Sequence, residues 1–205
     1  MQASGTDLER VDQLIELIVE KGDIGTCLSD LCAFVTNPKY WVKARLTIGL
    51  LKIAEHDHLT PFNIDLVLEA LSQLLKDKHP GVQGNAATVL AYIAIEKPDF
   101  IKTVKQREVI AALCDLSVSS SLPTVKEEVQ NNIVAFLEMN QRELRPILAY
   151  ACKIKAVALV EEIRSLAIRY GKLNIVVGSV HPLSGYDHRV DSDSDLDLAS
   201  VGACC

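Results

Sequence analysis

Glu55, His56, Asp57 and His58 stand together in EHDHLTP (55–61), the one stretch where metal-binding or proton-transferring side chains cluster. Imidazoles and carboxylates this close match the donor types of zinc and non-haem iron sites. Whether they form a site or a corner depends on the elements either side. Other reactive patterns are missing: no Gly-rich phosphate loop, no GxSxG elbow, and no Cys-His pair near a helix start to activate a thiol. Cys27 and Cys32 lie five apart with no second Cys or His pair to complete a zinc motif.

The chain has 205 residues, 49% of them hydrophobic and 5% aromatic. That is enough for one domain or a short stack of repeats. Aliphatic residues must fill the core, which favours packed helices over a sandwich. Of the net charge of −6, the segment Tyr186–Cys205 carries −4, from five aspartates against Arg189, leaving −2 for residues 1–185. A nearly neutral body lacks the basic excess that drives nucleic-acid binding. No apolar run approaches the roughly 20 residues of a membrane span, and MQASGTDLERVDQ does not read as a secretory signal. Cys27, Cys32, Cys114 and Cys152 fall in apolar helical patterns and read as core residues of a reducing compartment, so a cytoplasmic protein is expected.

The elements that would position any site are helices. DLERVDQLIELIVEKGD places Leu8, Val11, Ile15, Ile18 and Val19 at helical spacing, ending near Gly22, and a second helix is expected over Gly25–Val35. YWVKARLTIGLLKIAEH then carries Val42, Leu46, Leu50, Ile53 and Ala54 on one face. The same five offsets return with Val82, Ala86, Leu90, Ile93 and Ala94, and again with Val125, Val129, Ile133, Phe136 and Leu137. Between them, VLEALSQLLKDKHPG (67–81) and VIAALCDLSVSSSLPT (109–124) each read as a shorter helix and a polar turn. Such recurrence implies units that bury their apolar faces only by stacking. Thr124 with Glu127 predicts a capping box, and Thr60 before Pro61 an N-cap with proline at the first helical position. A shorter unit from Arg142 to Gly171, with ALVEEIRSLAIRYG as its last helix, closes the stack.

VQGNAATVLAYIAIEKPDFIKTV resembles the third helix of an armadillo repeat running into the next unit, and the turn after LSQLLKDKHPGV is similar to armadillo and HEAT repeats. The resemblance covers roughly residues 28–140. It implies an all-α fold, a short right-handed α-α superhelix of about three to four repeats over 1–171, followed by an acidic, largely disordered tail, 172–205. EHDHLTP then falls between the last helix of one repeat and the first of the next. There His56 and His58 complement the negative end of a helix and Asp57 and Thr60 satisfy backbone donors. Helical-repeat hydroxylases that hold two irons repeat a His-Glu step, whereas the matching positions here read IEKP and EMNQ. Helical-repeat DNA glycosylases need a basic, aromatic-lined groove, and this body has one tryptophan, Trp41. Neither a cofactor nor a resident metal is expected, and an enzyme is not.

In armadillo proteins the third helices line a concave groove with ladders of asparagine and tryptophan. The asparagine positions fall here on Lys52, Tyr92 and Ala135, and the tryptophan positions on Ile48, Thr88 and Asn131, so neither ladder is present and basic peptides are not the implied ligand. The resemblance implies a partner-binding strip of Arg45, Ile48, Lys52, Asn85, Thr88, Tyr92, Glu128 and Asn131, with Arg45 and Tyr92 as anchors. A partner protein presenting a helix or folded surface is expected, and no nucleic acid.

In the tail, NIVV (174–177) is a short strand or a segment packed on the last helix, and Gly, Pro, Ser and Asp then dominate. Ser192 and Ser194 each precede an aspartate by three residues, a pattern similar to sites of acidophilic kinases. The terminal Cys204-Cys205 resembles a double-prenyl signal, which offers a second reading as a lipid-anchored adaptor, although the acidic residues upstream oppose anionic lipid. The third reading, a metal-dependent helical-repeat enzyme, rests on EHDH alone.

Overall fold

The computed structural model describes residues 6–101 and 103–171, and these contain helices and no strand. The helices are α1 (Asp7–Lys21), α2 (Gly25–Cys32), α3 (Tyr40–Glu55), α4 (Ile64–Leu74), α5 (Pro80–Glu96), α6 (Thr103–Ser119), α7 (Pro123–Met139), α8 (Leu144–Lys153) and α9 (Val157–Arg169), with 3-10 turns at Ala33–Thr36, Pro98–Phe100 and Gln141–Glu143. The tail from residue 172, with the expected NIVV strand, Ser192, Ser194, Cys204 and Cys205, lies outside the described residues.

All fifteen positions of the recurring apolar stripe are buried, none more than 6% exposed. Their partners are the neighbouring helices of the same row: α1 packs on α3, α3 on α5, α5 on α7 and α7 on α9. In a second row α2 packs on α4 and α6 on α8, and α1–α2, α4–α5, α6–α7 and α8–α9 join the rows. α5 shows what this demands of a sequence. With neighbours in its own row and behind it, it buries Val82, Gly84, Ala86, Ala87, Val89, Leu90, Ala91, Ile93 and Ala94, leaving a single polar stripe.

Polar rungs between helices fix the direction of the row. Lys39 at the start of α3 pairs with Asp7 at the start of α1, at 3.4 Å. Lys97 at the end of α5 pairs with Asp57 at the end of α3, and Arg169 of α9 reaches Glu138 of α7 at 3.5 Å. Starts meet starts and ends meet ends, so the odd-numbered helices run parallel. Behind them, Arg107 of α6 grips the buried Glu143 in a two-bond clamp of 2.9 and 3.2 Å, and the Tyr150 hydroxyl of α8 donates to Asp115 of α6 at 2.9 Å.

Several helix ends differ from expectation. α7 begins at Pro123, whose missing N–H suits the first helical position, so Thr124 lies inside the helix and caps nothing. α4 begins at Ile64 rather than after Thr60. The Asn63 side chain accepts from the Thr60 N–H at 2.7 Å and donates to the His58 carbonyl at 3.1 Å, holding residues 58–63 as a turn. α6 starts six residues before Val109, and Leu8, expected on an apolar face, is 36% exposed. A capping box does occur, at Thr6 and Glu9, where it opens α1.

Close approach within the row requires glycine at one position above all. A Cβ on Gly49 of α3 would stand 2.3 Å from Ile15 Cδ1 of α1. Gly49→Val is expected to cost about 1–3 kcal/mol by overpacking. In a urea-unfolding double-mutant cycle with Ile15→Ala, the increment for Gly49→Val should shrink, whereas additive effects would place the two residues apart.

Candidate functional site

EHDHLTP is a corner whose side chains diverge. His56 Nδ1 lies 2.8 Å from the Lys52 carbonyl at the end of α3, and His58 Nε2 lies 3.2 Å from the Val19 carbonyl of α1. His56 therefore meets the end of its own helix, as expected from the sequence, whereas His58 reaches across to α1 instead. Asp57 takes a left-handed conformation, φ 59°, and reaches Lys97 instead of a backbone donor in its own turn. The bond and charge from Lys97 hold its carboxyl below the usual carboxylate range. Thr60 contributes its N–H to the turn, satisfied by Asn63, while its side chain caps nothing. Among the described residues no three His, Cys, Asp or Glu side chains are grouped to hold a metal ion.

The described cysteines are equally unsuited to nucleophilic work. Cys27, Cys32, Cys114 and Cys152 are all buried. Burial pushes the Cys32 thiol up to about 12, and burial with the charge of Asp115 does the same to Cys114. Such thiols stay protonated at neutral pH. The hollow beside the first 3-10 turn, about 150 Å3 and lined by Ala33, Phe34, Thr36 and Asn37, is smaller than the usual cleft for a metabolite.

The eight strip residues fall on exposed or half-buried positions of α3, α5 and α7. On α5, Asn85 is exposed and Thr88 and Tyr92 are half-buried along its one open stripe. On α3, Ile48 is 41% exposed and Lys52 is open, and on α7 both Glu128 and Asn131 are exposed. Three members act between helices: Arg45 Nε donates to Asp12 of α1, and the Thr88 hydroxyl donates to Glu128 of α7. Arg45 is therefore tied sideways rather than held free as an anchor. Tyr92 packs its ring on the core and leaves part of its edge exposed.

One residue of this side escaped the sequence reading. Trp41 is 51% exposed, and it stands four and seven residues before Arg45 and Ile48, so the stripe on α3 runs 41, 45, 48, 52. That spacing was the signal available. Beside it Tyr40 stacks flat on His79 at the start of α5, with ring centroids 4.0 Å apart and planes 2° apart. That contact joins residues 39 apart and has no local signature.

No protein-family model, curated protein or solved structure matches the chain. No helix among the described residues is long and apolar enough to cross a membrane.

The join between α3 and α5 at this end depends on Asp77. Burial raises its carboxyl, but the half-buried Lys43 and the His79 N–H, 2.8 Å away, outweigh burial and leave it below the usual range. The stabilisation is therefore present above the unfolded value, about 3.9, and is lost as pH falls through the lower folded value. The urea midpoint of the native chain should exceed that of Asp77→Asn by a constant amount above about pH 5, and the gap should close below about pH 4. A gap unchanged by acid would show that the ion pair contributes nothing.

Proposed function

We propose that the chain is a non-enzymatic scaffold of the armadillo type, a short right-handed solenoid of about three to four repeats that docks a partner protein on the concave side of its odd-numbered helices. The observation that carries this reading is the open stripe of α5. Every other side of that helix is buried, and the neighbours beside the stripe add Trp41 and Ile48, large apolar side chains left in water. Exposed aromatic and aliphatic residues set among polar ones are the composition of a docking surface rather than of a reaction centre. The expected absence of asparagine and tryptophan ladders points away from an extended peptide and toward a helix or folded surface laid across α3, α5 and α7. A protein working in the cytoplasm is the matching location, in keeping with the four reduced, buried thiols.

Ile48 is the residue to test, because it is exposed and has no structural bond to lose. A photoreactive side chain at Ile48 should cross-link one protein in the native cell, while the same group at Glu69, exposed on α4, should not. Against that protein purified, Ile48→Glu with Lys52→Glu should weaken Kd by about tenfold or more, the loss of one good anchor. Equal cross-linking from Ile48 and Glu69, or unchanged affinity of the variant, would contradict docking on this side.

A further inference from the structure

The edge where α3 and α5 begin carries an aromatic platform with uncompensated positive charge. Tyr40 lies flat on His79, and Trp41 meets Tyr40 edge-on, with centroids 5.4 Å apart and planes at 83°. Tyr40 and Trp41 remain 47% and 51% exposed despite being held in place. Asp77 fixes His79 from below through its N–H, and His79 Nδ1 is buried with no hydrogen-bond partner. The platform is therefore rigid, and its upper surface is open.

Lysines rim it. Lys39 precedes Tyr40, and Lys78 precedes His79 with Lys76 two residues before that. The two carboxylates at this edge are already engaged, Asp7 by Lys39 and Asp77 by Lys43. Lys76 and Lys78 are exposed and form no ion pair with any described residue. A positive excess beside bare aromatic rings suits an acidic segment that also carries aliphatic side chains. The chain contains one: between Asp187 and Asp197 five aspartates, offset by the single Arg189, are interspersed with His188, Val190, two serines and Leu196.

We propose that this acidic segment, 187–197 of the same chain, docks on the Tyr40–Trp41–His79 edge, with its carboxylates on Lys76 and Lys78 and its aliphatic side chains on the two exposed rings. Reach permits it. Fifteen residues lie between Gly171 and Asp187, a span of up to roughly 50 Å. The start of α3 lies three helix spacings of about 8–10 Å across and one helix length of about 24 Å along from the end of α9, a straight diagonal of roughly 35–40 Å. Tethering supplies an effective concentration in the millimolar range, so a weak contact suffices. Phosphate on Ser192 or Ser194 would add about −1.5 to −2 charge each and tighten it.

Trp41 is the only tryptophan of the chain, so its fluorescence reads this edge directly. The full chain is compared with a full chain in which Asp187, Asp191, Asp193, Asp195 and Asp197 are all changed to Asn. Acrylamide quenching of Trp41 should rise by roughly twofold in the Asn variant, as expected when a tethered segment occupies most molecules. The native chain should lose its protection in about 1 M salt, where screening acts within about 3 Å. A peptide of residues 186–198 should restore protection to the Asn variant, at lower concentration with phosphoserine at 192 and 194, and Lys76→Glu with Lys78→Glu should abolish it. Identical quenching of the native and Asn chains overturns the proposal. So does protection of Trp41 by single-stranded oligonucleotide and not by peptide, which would assign the edge to nucleic acid. This signal is read on the purified chain with no partner protein present, so failure here is distinct from failure of the partner-docking strip.

Discussion

α5 cannot exist alone in water. Its apolar residues cover every side but one, and they include Val82, Val89, Leu90 and Ile93, worth about 1.5–3 kcal/mol each when buried. The helix therefore dictates its surroundings: α3 and α7 beside it in the same row, α4 and α6 behind. The same demand, repeated at the same offsets in α3 and α7, extends the row in both directions to α1 and α9. Whatever side remains open is open by default, and on α3, α5 and α7 it carries the exposed stripes.

The rungs between helices act on register more than on stability. Most join groups that are substantially exposed, such as Arg45 with Asp12 and Arg169 with Glu138, and surface pairs contribute little. Lys43–Asp77 and Arg107–Glu143 differ because a carboxylate is drawn out of water, so a helix that slipped by one turn would strand it. Apolar packing brings the helices together, and these buried charges select one alignment. The alignment in turn sets Tyr40 on His79 and Trp41 at the head of the exposed stripe.

The helical class, the repeat offsets and the buried stripe were legible because period 3.6 is a local property of sequence. Val42, Leu46, Leu50, Ile53 and Ala54 announce their burial without reference to any other helix. The exposure of most strip residues was legible for the same reason. What those residues touch was not: the bond from Arg45 to Asp12 and that from Thr88 to Glu128 join positions 33 and 40 apart, and only the packed register reveals them. Local chemistry misled where two signals competed. Thr124 and Thr60 carry capping side chains, but Pro123 and Asn63 fixed the starts of α7 and α4. EHDHLTP has ligand-type residues whose directions depend on α1 and α5, and those neighbours pull them apart.

A row of parallel helices differs from a closed bundle in how distance accumulates, and that difference tests the account at its root. Pairs of nitroxide labels, one at Ile48 on α3 and the other at Asn85 on α5, Asn131 on α7 or Ser165 on α9, can be measured by dipolar spectroscopy in solution. The separations should increase stepwise, by about 8–10 Å per helix. An α9 label as close to Ile48 as the α5 label would mean the helices close on themselves, and the side proposed for docking would not exist.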